Sequence, residues 1–173
     1  LILVVGPGQP DLTSGPAANG GKDGRIFMQW EGWEARRGHV SLAARLRAEL
    51  DEKGYGVYAV ELKSSGSLIG LLGFHWADFK ADFTPCVEIG WRLVPEAWGH
   101  GYATEGARAC LEHGFARLGL DRVYSFTVCV NLPSQAVMQR AGMRKTAEFN
   151  HPKVAPDSVL YPHVLYVREA SHA

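Results

Sequence analysis

The sequence lacks net charge. Its 18 Lys and Arg are offset by 18 Asp and Glu, so no long-range field draws it to nucleic acid or to an anionic membrane surface. It also lacks a long apolar run. The opening Leu1-Ile2-Leu3-Val4-Val5 falls far short of the roughly 20 residues that span a bilayer, and no basic flank or cleavage site accompanies it. Cysteine is scarce and odd in number: Cys86, Cys110 and Cys129 form no Cys-x-x-Cys pair, which argues against a disulfide framework and fits a reducing, cytoplasmic compartment. His39, His75, His100, His113, His151, His163 and His172 are dispersed, with no metal-ligand spacing and no Ser/His/Asp arrangement. No metal site is expected, and there is no internal repeat.

What is present is enough apolar material for a core. With 173 residues, 46% hydrophobic and 21% charged, the chain reads as one globular domain. Residues 1 to about 25 stand apart. Gly6-Pro7-Gly8-Gln9-Pro10 and Gly15-Pro16-Ala17-Ala18-Asn19-Gly20-Gly21 make them read as a loop or flexible tail. From Ser41, Leu42, Ala43, Leu46 and Leu50 recur at helical spacing, and Gly54 supplies a stop. Strand-like runs follow at Tyr55 to Leu62, Leu68 to Trp76 and Cys86 to Leu93, the first two joined through Ser64-Ser65-Gly66-Ser67. Residues 102 to 118 give the clearest helix, with Ala103, Ala107, Cys110, Leu111, Gly114, Phe115 and Leu118 on one stripe and Gly119 closing it. Arg122 to Val130 reads as a strand, 133 to 141 as a short helix capped by Gly142, and Met143 to Phe149 with His163 to Arg168 as a last strand pair. Helix, three strands, helix, strand, helix, two strands is an α+β or mixed α/β plan around one sheet.

The segment that points to chemistry runs from Val87 to Glu105, where a strand enters a glycine-rich turn that opens onto the long helix. Gly99 and Gly101 permit positive φ and close backbone approach, and the helix start adds unpaired N–H groups and a positive dipole end. Together they make a pyrophosphate seat that needs no basic side chain; only His100 lies near. The Gly-Lys-Ser/Thr of a nucleoside triphosphate loop is missing, as is the third glycine of a dinucleotide fingerprint, for Gly99-x-Gly101 is followed by Thr104. A turn that serves packing alone remains the competing reading.

The stretch Trp98-Gly99-His100-Gly101-Tyr102-Ala103-Thr104-Glu105 resembles the acetyl-CoA motif of the Gcn5-related N-acetyltransferase superfamily, in the branch typified by the ribosomal-protein alanine acetyltransferases. Trp98 stands where the superfamily pattern has Gln or Arg. The resemblance continues through Asn131-Leu132-Pro133-Ser134-Gln135-Ala136-Val137-Met138, Ala141-Gly142-Met143 and His163-Val164-Leu165-Tyr166. It implies a single domain whose central sheet is mostly antiparallel, splayed and flanked by helices. Residues 1–40 would be a divergent N-terminal segment of that domain, 41–168 the acetyl-CoA-binding core and 169–173 a tail. Val4 to about Val40 do not resemble the two helices the family places there.

By the same resemblance, Arg92, Leu93 and Val94 would offer backbone groups to pantetheine, with an N–H around Leu93 polarising the thioester carbonyl. Gly99, His100, Gly101, Tyr102, Ala103 and Thr104, after Trp98, would hold the pyrophosphate, and Asn131 the pantetheine arm. Ser134 is placed to reach the sulfur. Many relatives carry a Tyr acid where this chain has Met138, so Ser134 or water would protonate the thiolate; a capping role for Ser134 stands beside this. Glu88 is the expected base, against a plain strand carboxylate paired with Arg92. His75, Trp76 and His163 could line the acceptor pocket or be satisfied locally. Trp30, Trp33, Trp91 and Trp98 read first as packing aromatics. The activity implied is N-acetyl transfer from acetyl-CoA to a small-molecule amine or a protein N-terminus, by a monomer or homodimer. A non-catalytic acyl-CoA sensor is the alternative, and a nucleotide switch is disfavoured by the missing lysine.

Overall fold

The computed structural model describes the backbone of Ile2–Val5 and residues 48–171. The readings made on residues 6–47, including Trp30, Trp33, His39 and the family's two helices, lie outside the described residues. Seven strands form one sheet: β1 (Ile2–Val5), β2 (Val57–Leu62), β3 (Leu68–Ala77), β4 (Cys86–Leu93), β5 (Arg122–Val128), β6 (Arg144–Asn150) and β7 (Pro162–Glu169). Their order is β1-β2-β3-β4-β5-β7-β6, antiparallel throughout except where β4 meets β5. The Ile2–Val5 stretch is therefore a strand, paired with β2, rather than part of a tail. Residues 48–53 are helical (α1), α2 is Tyr102–Arg117 and α3 is Leu132–Arg140.

The alternation of strand side chains sorts the interior into two layers. Leu72, Phe74, Ile89, Leu93, Val123, Val164 and Tyr166 face α2 and α3, where they meet Ala107, Cys110, Leu111 and Met138. That stripe on α2 is what the three-and-four spacing of small and apolar residues demanded. Gly114 completes it: a Cβ there would lie 2.8 Å from Phe74 Cζ, so the helix sits close on the sheet. The opposite face carries Ala77, Phe79, Cys86, Phe126 and Leu165, sealed by the 78–85 connection that brings Phe83 over Phe149. Strand and helix ends differ from the sequence expectations by a few residues. β5 stops at Val128 because Val130 turns out to solvent, 57% exposed, and Asn131 begins the corner into α3.

Candidate active site

The site begins where the sheet comes apart. β4 and β5 share one register pair, Glu88 with Tyr124. One residue further on, the fully buried Ser125 donates its Oγ hydrogen to the Ile89 carbonyl at 2.8 Å, a side chain acting where a ladder bond would otherwise run. Past that point β4 pairs only with β3. Leu93 opposes Gly70, and Val94 N–H donates to Ile69 O at 2.8 Å. In that antiparallel pattern the N–H and C=O of Leu93 itself point away from β3, into the fork. The Leu93 carbonyl is taken by the Trp98 indole N–H at 2.8 Å. Of the groups expected to meet pantetheine, then, Leu93 N–H faces the fork, while Leu93 C=O and Val94 N–H already have partners.

The glycine-rich turn follows a short 3-10 segment, Pro95–Ala97. Gly99 (φ 79°) and Gly101 (φ 82°) both sit in the left-handed region, and a Cβ at either would meet nothing within 4 Å. Glycine is kept here by backbone conformation and an open outer surface, not by inward packing. Gly101 is the N-cap of α2, and Glu105 N–H to Gly101 O, 3.0 Å, closes its first turn. The N–H groups of Tyr102, Ala103 and Thr104 therefore have no acceptor within the helix. His100 stacks on Tyr102 with ring centroids 5.5 Å apart.

Across the fork, the corner between β5 and α3 is held by Asn131. Its Oδ1 accepts from Ser134 N–H at 3.3 Å and its Nδ2 donates to Thr127 Oγ1 at 3.0 Å. Asn131 is thus a side-chain N-cap, with one N–H left to offer a ligand. Ser134 is half-buried, and its hydroxyl has no partner among the described residues. Met138 is fully buried in the α2-side core, so the position where the resemblance led to the expectation of an acid contributes packing here.

On the other face of the sheet stand Glu88 and Arg92. Glu88 is 5% exposed, and Arg92 is half-buried, its guanidinium pulled below the ordinary value by burial. His75 lies directly opposite Glu88 in the β3–β4 register, on the same face. Glu49 of α1 grips the end of β3 with both oxygens: Oε2 is 2.9 Å from His75 Nδ1, and Oε1 accepts from Trp76 N–H at 2.6 Å. Burial alone would raise the Glu49 pKa, but the His75 and Trp76 hydrogen bonds outweigh it and hold the carboxyl below its ordinary value. Cys86 and Cys110 are pushed up to about 12, chiefly by burial, and so are inert as nucleophiles. No cluster of three metal-ligating side chains occurs among the described residues, and no described helix is long and apolar enough to cross a membrane.

Sequence reasoning missed Glu49, Ser125 and Thr127. The two hydroxyls carry a signal, alternating at period two inside an otherwise apolar strand. Glu49 carries none, because only the packing of α1 on β3 gives it a role. His151 and His163, far apart in sequence, are side by side with ring centroids 4.9 Å apart.

An acetyltransferase (GNAT) domain model matches residues 17–144. The YkkB protein of Bacillus subtilis (strain 168) is 31% identical over 127 residues, 72% of this chain and 64% of its own length. The chain thus spans less than two thirds of that relative. Among solved structures, an acetyltransferase (GNAT family) from Bacillus anthracis superposes with a TM-score of 0.58 at 27% identity, covering 76% of this chain and 75% of that one. RimJ of Mycobacterium smegmatis, solved in complex with CoA-disulfide, gives a TM-score of 0.63 at 25% identity, covering 80% of this chain and 65% of that one. With the family model running from before α1 to the first residue of β6, the chain belongs to the acetyltransferase (GNAT) domain family.

Proposed function

We propose that this chain is an N-acetyltransferase that moves the acetyl group of acetyl-CoA to a primary amine, a peptide N-terminus or a small-molecule amine, by direct attack within a ternary complex. The observation that carries the reading is the fork between β4 and β5 leading into the glycine turn. It offers an unpaired strand edge for an amide-bearing arm and, after the turn, the first-turn N–H groups of α2 for a pyrophosphate. The residues present fit acetyl-CoA: the open space over Gly99 and Gly101 would admit phosphates against bare backbone. Gly99, His100, Gly101, Tyr102, Ala103 and Thr104 would hold the pyrophosphate and Asn131 the pantetheine arm. Arg92, Leu93 and Val94 would line the strand side, with Trp98 behind them.

When bound, acetyl-CoA supplies a thioester carbonyl open to amines. Leu93 N–H, directed into the fork, would polarise that carbonyl. Glu88 would take the amine proton, and Ser134 or water would return one to the sulfur, since Met138 cannot. At pH 7, deprotonating an α-amine costs roughly 1.4 kcal/mol and a lysine roughly 4.6. A site without a tyrosine acid at that position suits the easier amine. Burial of Met138 and the capping duty of Asn131 also favour a second reading, an acyl-CoA-binding module without turnover.

Thermal unfolding with acetyl-CoA, CoA, ATP and NAD, followed by thiol release across an amine panel, separates the readings. Ligand at 100 times its Kd should add about 2.7 kcal/mol to the native state. Glu88→Gln should lower kcat by roughly 10²–10⁴ with acetyl-CoA affinity kept. Stabilisation by acetyl-CoA without thiol release from any amine would leave the binding module standing.

A further inference from the structure

Glu88 is 5% exposed, whereas the His75 side chain, opposite it in the β3–β4 register, is 36% exposed. A base buried that deeply needs somewhere to discharge the proton it collects. Directly opposed residues of an antiparallel pair stand with Cβ atoms roughly 4.5–5.5 Å apart on one face, within reach of two such side chains. Glu49 fixes the other side of the imidazole. Its carboxylate can only accept, so at 2.9 Å it sets the hydrogen on Nδ1 of neutral His75 and leaves Nε2 as the basic nitrogen. The same carboxylate would stabilise the imidazolium once a second proton arrives. Trp76 N–H, bound to the other Glu49 oxygen at 2.6 Å, locks the carboxylate in place.

We propose that the Glu49–His75 dyad carries protons from Glu88 to solvent during transfer. This rests on the reading of Glu88 as the base. An amine enters as ammonium, with one proton too many to attack. That N–H bond breaks toward Glu88, the Glu88 carboxyl gives the proton to His75 Nε2, and the imidazolium releases it to water. The nitrogen lone pair then forms the new C–N bond and the C–S pair leaves on sulfur, which takes the second proton the nitrogen sheds. One proton is exported per ammonium consumed. Among the described residues, the charged and titratable groups near His75 include Glu49 and Lys53 from α1, Tyr55 just after it, and Glu88 and Cys86 from β4. Lys53 Nζ lies 5.2 Å over the neighbouring Trp76 ring, and the Tyr55 phenol is raised by burial and then by Glu49.

His75→Ala and Glu49→Gln test it, each checked for unchanged acetyl-CoA binding by calorimetry. At pH 6.5 both should lose about tenfold in kcat, less than the 10²–10⁴ expected for the base itself. Added imidazole should restore His75→Ala and leave the unmodified chain unaffected, an outcome that a merely structural role of His75 would not give. A second measurement needs no turnover: the His75 ring signals, followed by NMR in the cofactor-free protein, should shift in Glu88→Gln. Full activity in both variants, a loss that imidazole cannot rescue, or NMR signals indifferent to Glu88→Gln each overturns the relay. If the unmodified chain releases no thiol with any amine, the reading of Glu88 falls first and takes the relay with it.

Discussion

Stability should fall in mild acid, and His151 should be the main reason. The ring is 7% exposed, packed 4.6 Å from Phe79 and 4.9 Å from His163 by centroid. Burial first, then His163 and Lys153, lowers its pKa from 6.5 to about 4. His163 is lowered too, by burial, against the pull of the Tyr161 carbonyl. A histidine with a depressed folded pKa binds fewer protons folded than unfolded. Its contribution is therefore complete above 6.5 and drains away as pH falls toward about 4. That gap corresponds to about 3 kcal/mol at most, at 1.36 kcal/mol per pH unit. His151→Gln removes the titration yet can still accept from Lys153 N–H, which His151 Nδ1 holds at 3.3 Å. Urea unfolding at steps from pH 7.5 to 4.5 should show the unmodified chain losing about 2 kcal/mol more than the variant. The two histidines titrate as a pair, so the variant should keep a smaller residual slope from His163. Equal pH slopes in the two proteins would refute the assignment.

Two further changes probe the scaffold of the site. Gly114→Ala should destabilise by about 1–3 kcal/mol, because the new methyl would press on Phe74, itself fully buried and unable to yield; an unchanged urea midpoint would mean that α2 can lift off the sheet at no cost. Trp98→Phe removes the N–H that holds the Leu93 carbonyl at 2.8 Å, a bond worth about 1 kcal/mol. Stability should fall by about 1 kcal/mol and acetyl-CoA affinity measured by calorimetry should weaken several-fold; equal affinity would detach Trp98 from the cofactor strand.

The architecture was legible wherever one periodicity covered a whole element. β4 runs from Cys86 to Leu93 as the apolar run suggested, and α2 buries Ala107, Cys110, Leu111 and Gly114 from the stripe read in the sequence. The described part of α1 ends where Gly54 promised, with Gly54 N–H bonded to Leu50 O at 2.9 Å. The turn at Gly99 and Gly101 was legible for another reason, since glycine readily takes the positive φ that a tight turn before a helix uses. What escaped were contacts between elements distant in sequence. Glu49 reads as one more polar residue on a helix until α1 packs over the end of β3. His151 and His163 read as dispersed until the 151–161 connection folds back and stacks them against Phe79 and Phe126. Neither pattern has a period, so no window on the sequence can hold it.

The fork shows how a local side-chain choice sets the functional geometry. A parallel pair inserted between antiparallel neighbours has less to hold it, because its slanted ladder is slightly weaker per residue. Here it is reduced to Glu88 and Tyr124, and the strands part immediately afterward. Parting leaves buried backbone groups without partners, at a cost of about 1–3 kcal/mol for each one left unmade. Ser125 Oγ satisfies the Ile89 carbonyl at the apex, and the Trp98 indole satisfies Leu93 C=O further out. Thr127 and Asn131 brace the opposite bank at 3.0 Å. These polar side chains satisfy the groups that the parting strands expose and leave the Leu93 N–H directed into the gap. A strand in which Ser125 were valine would gain apolar surface but lose the donor that tolerates the opening, and closing the fork would then be the cheaper way to satisfy Ile89.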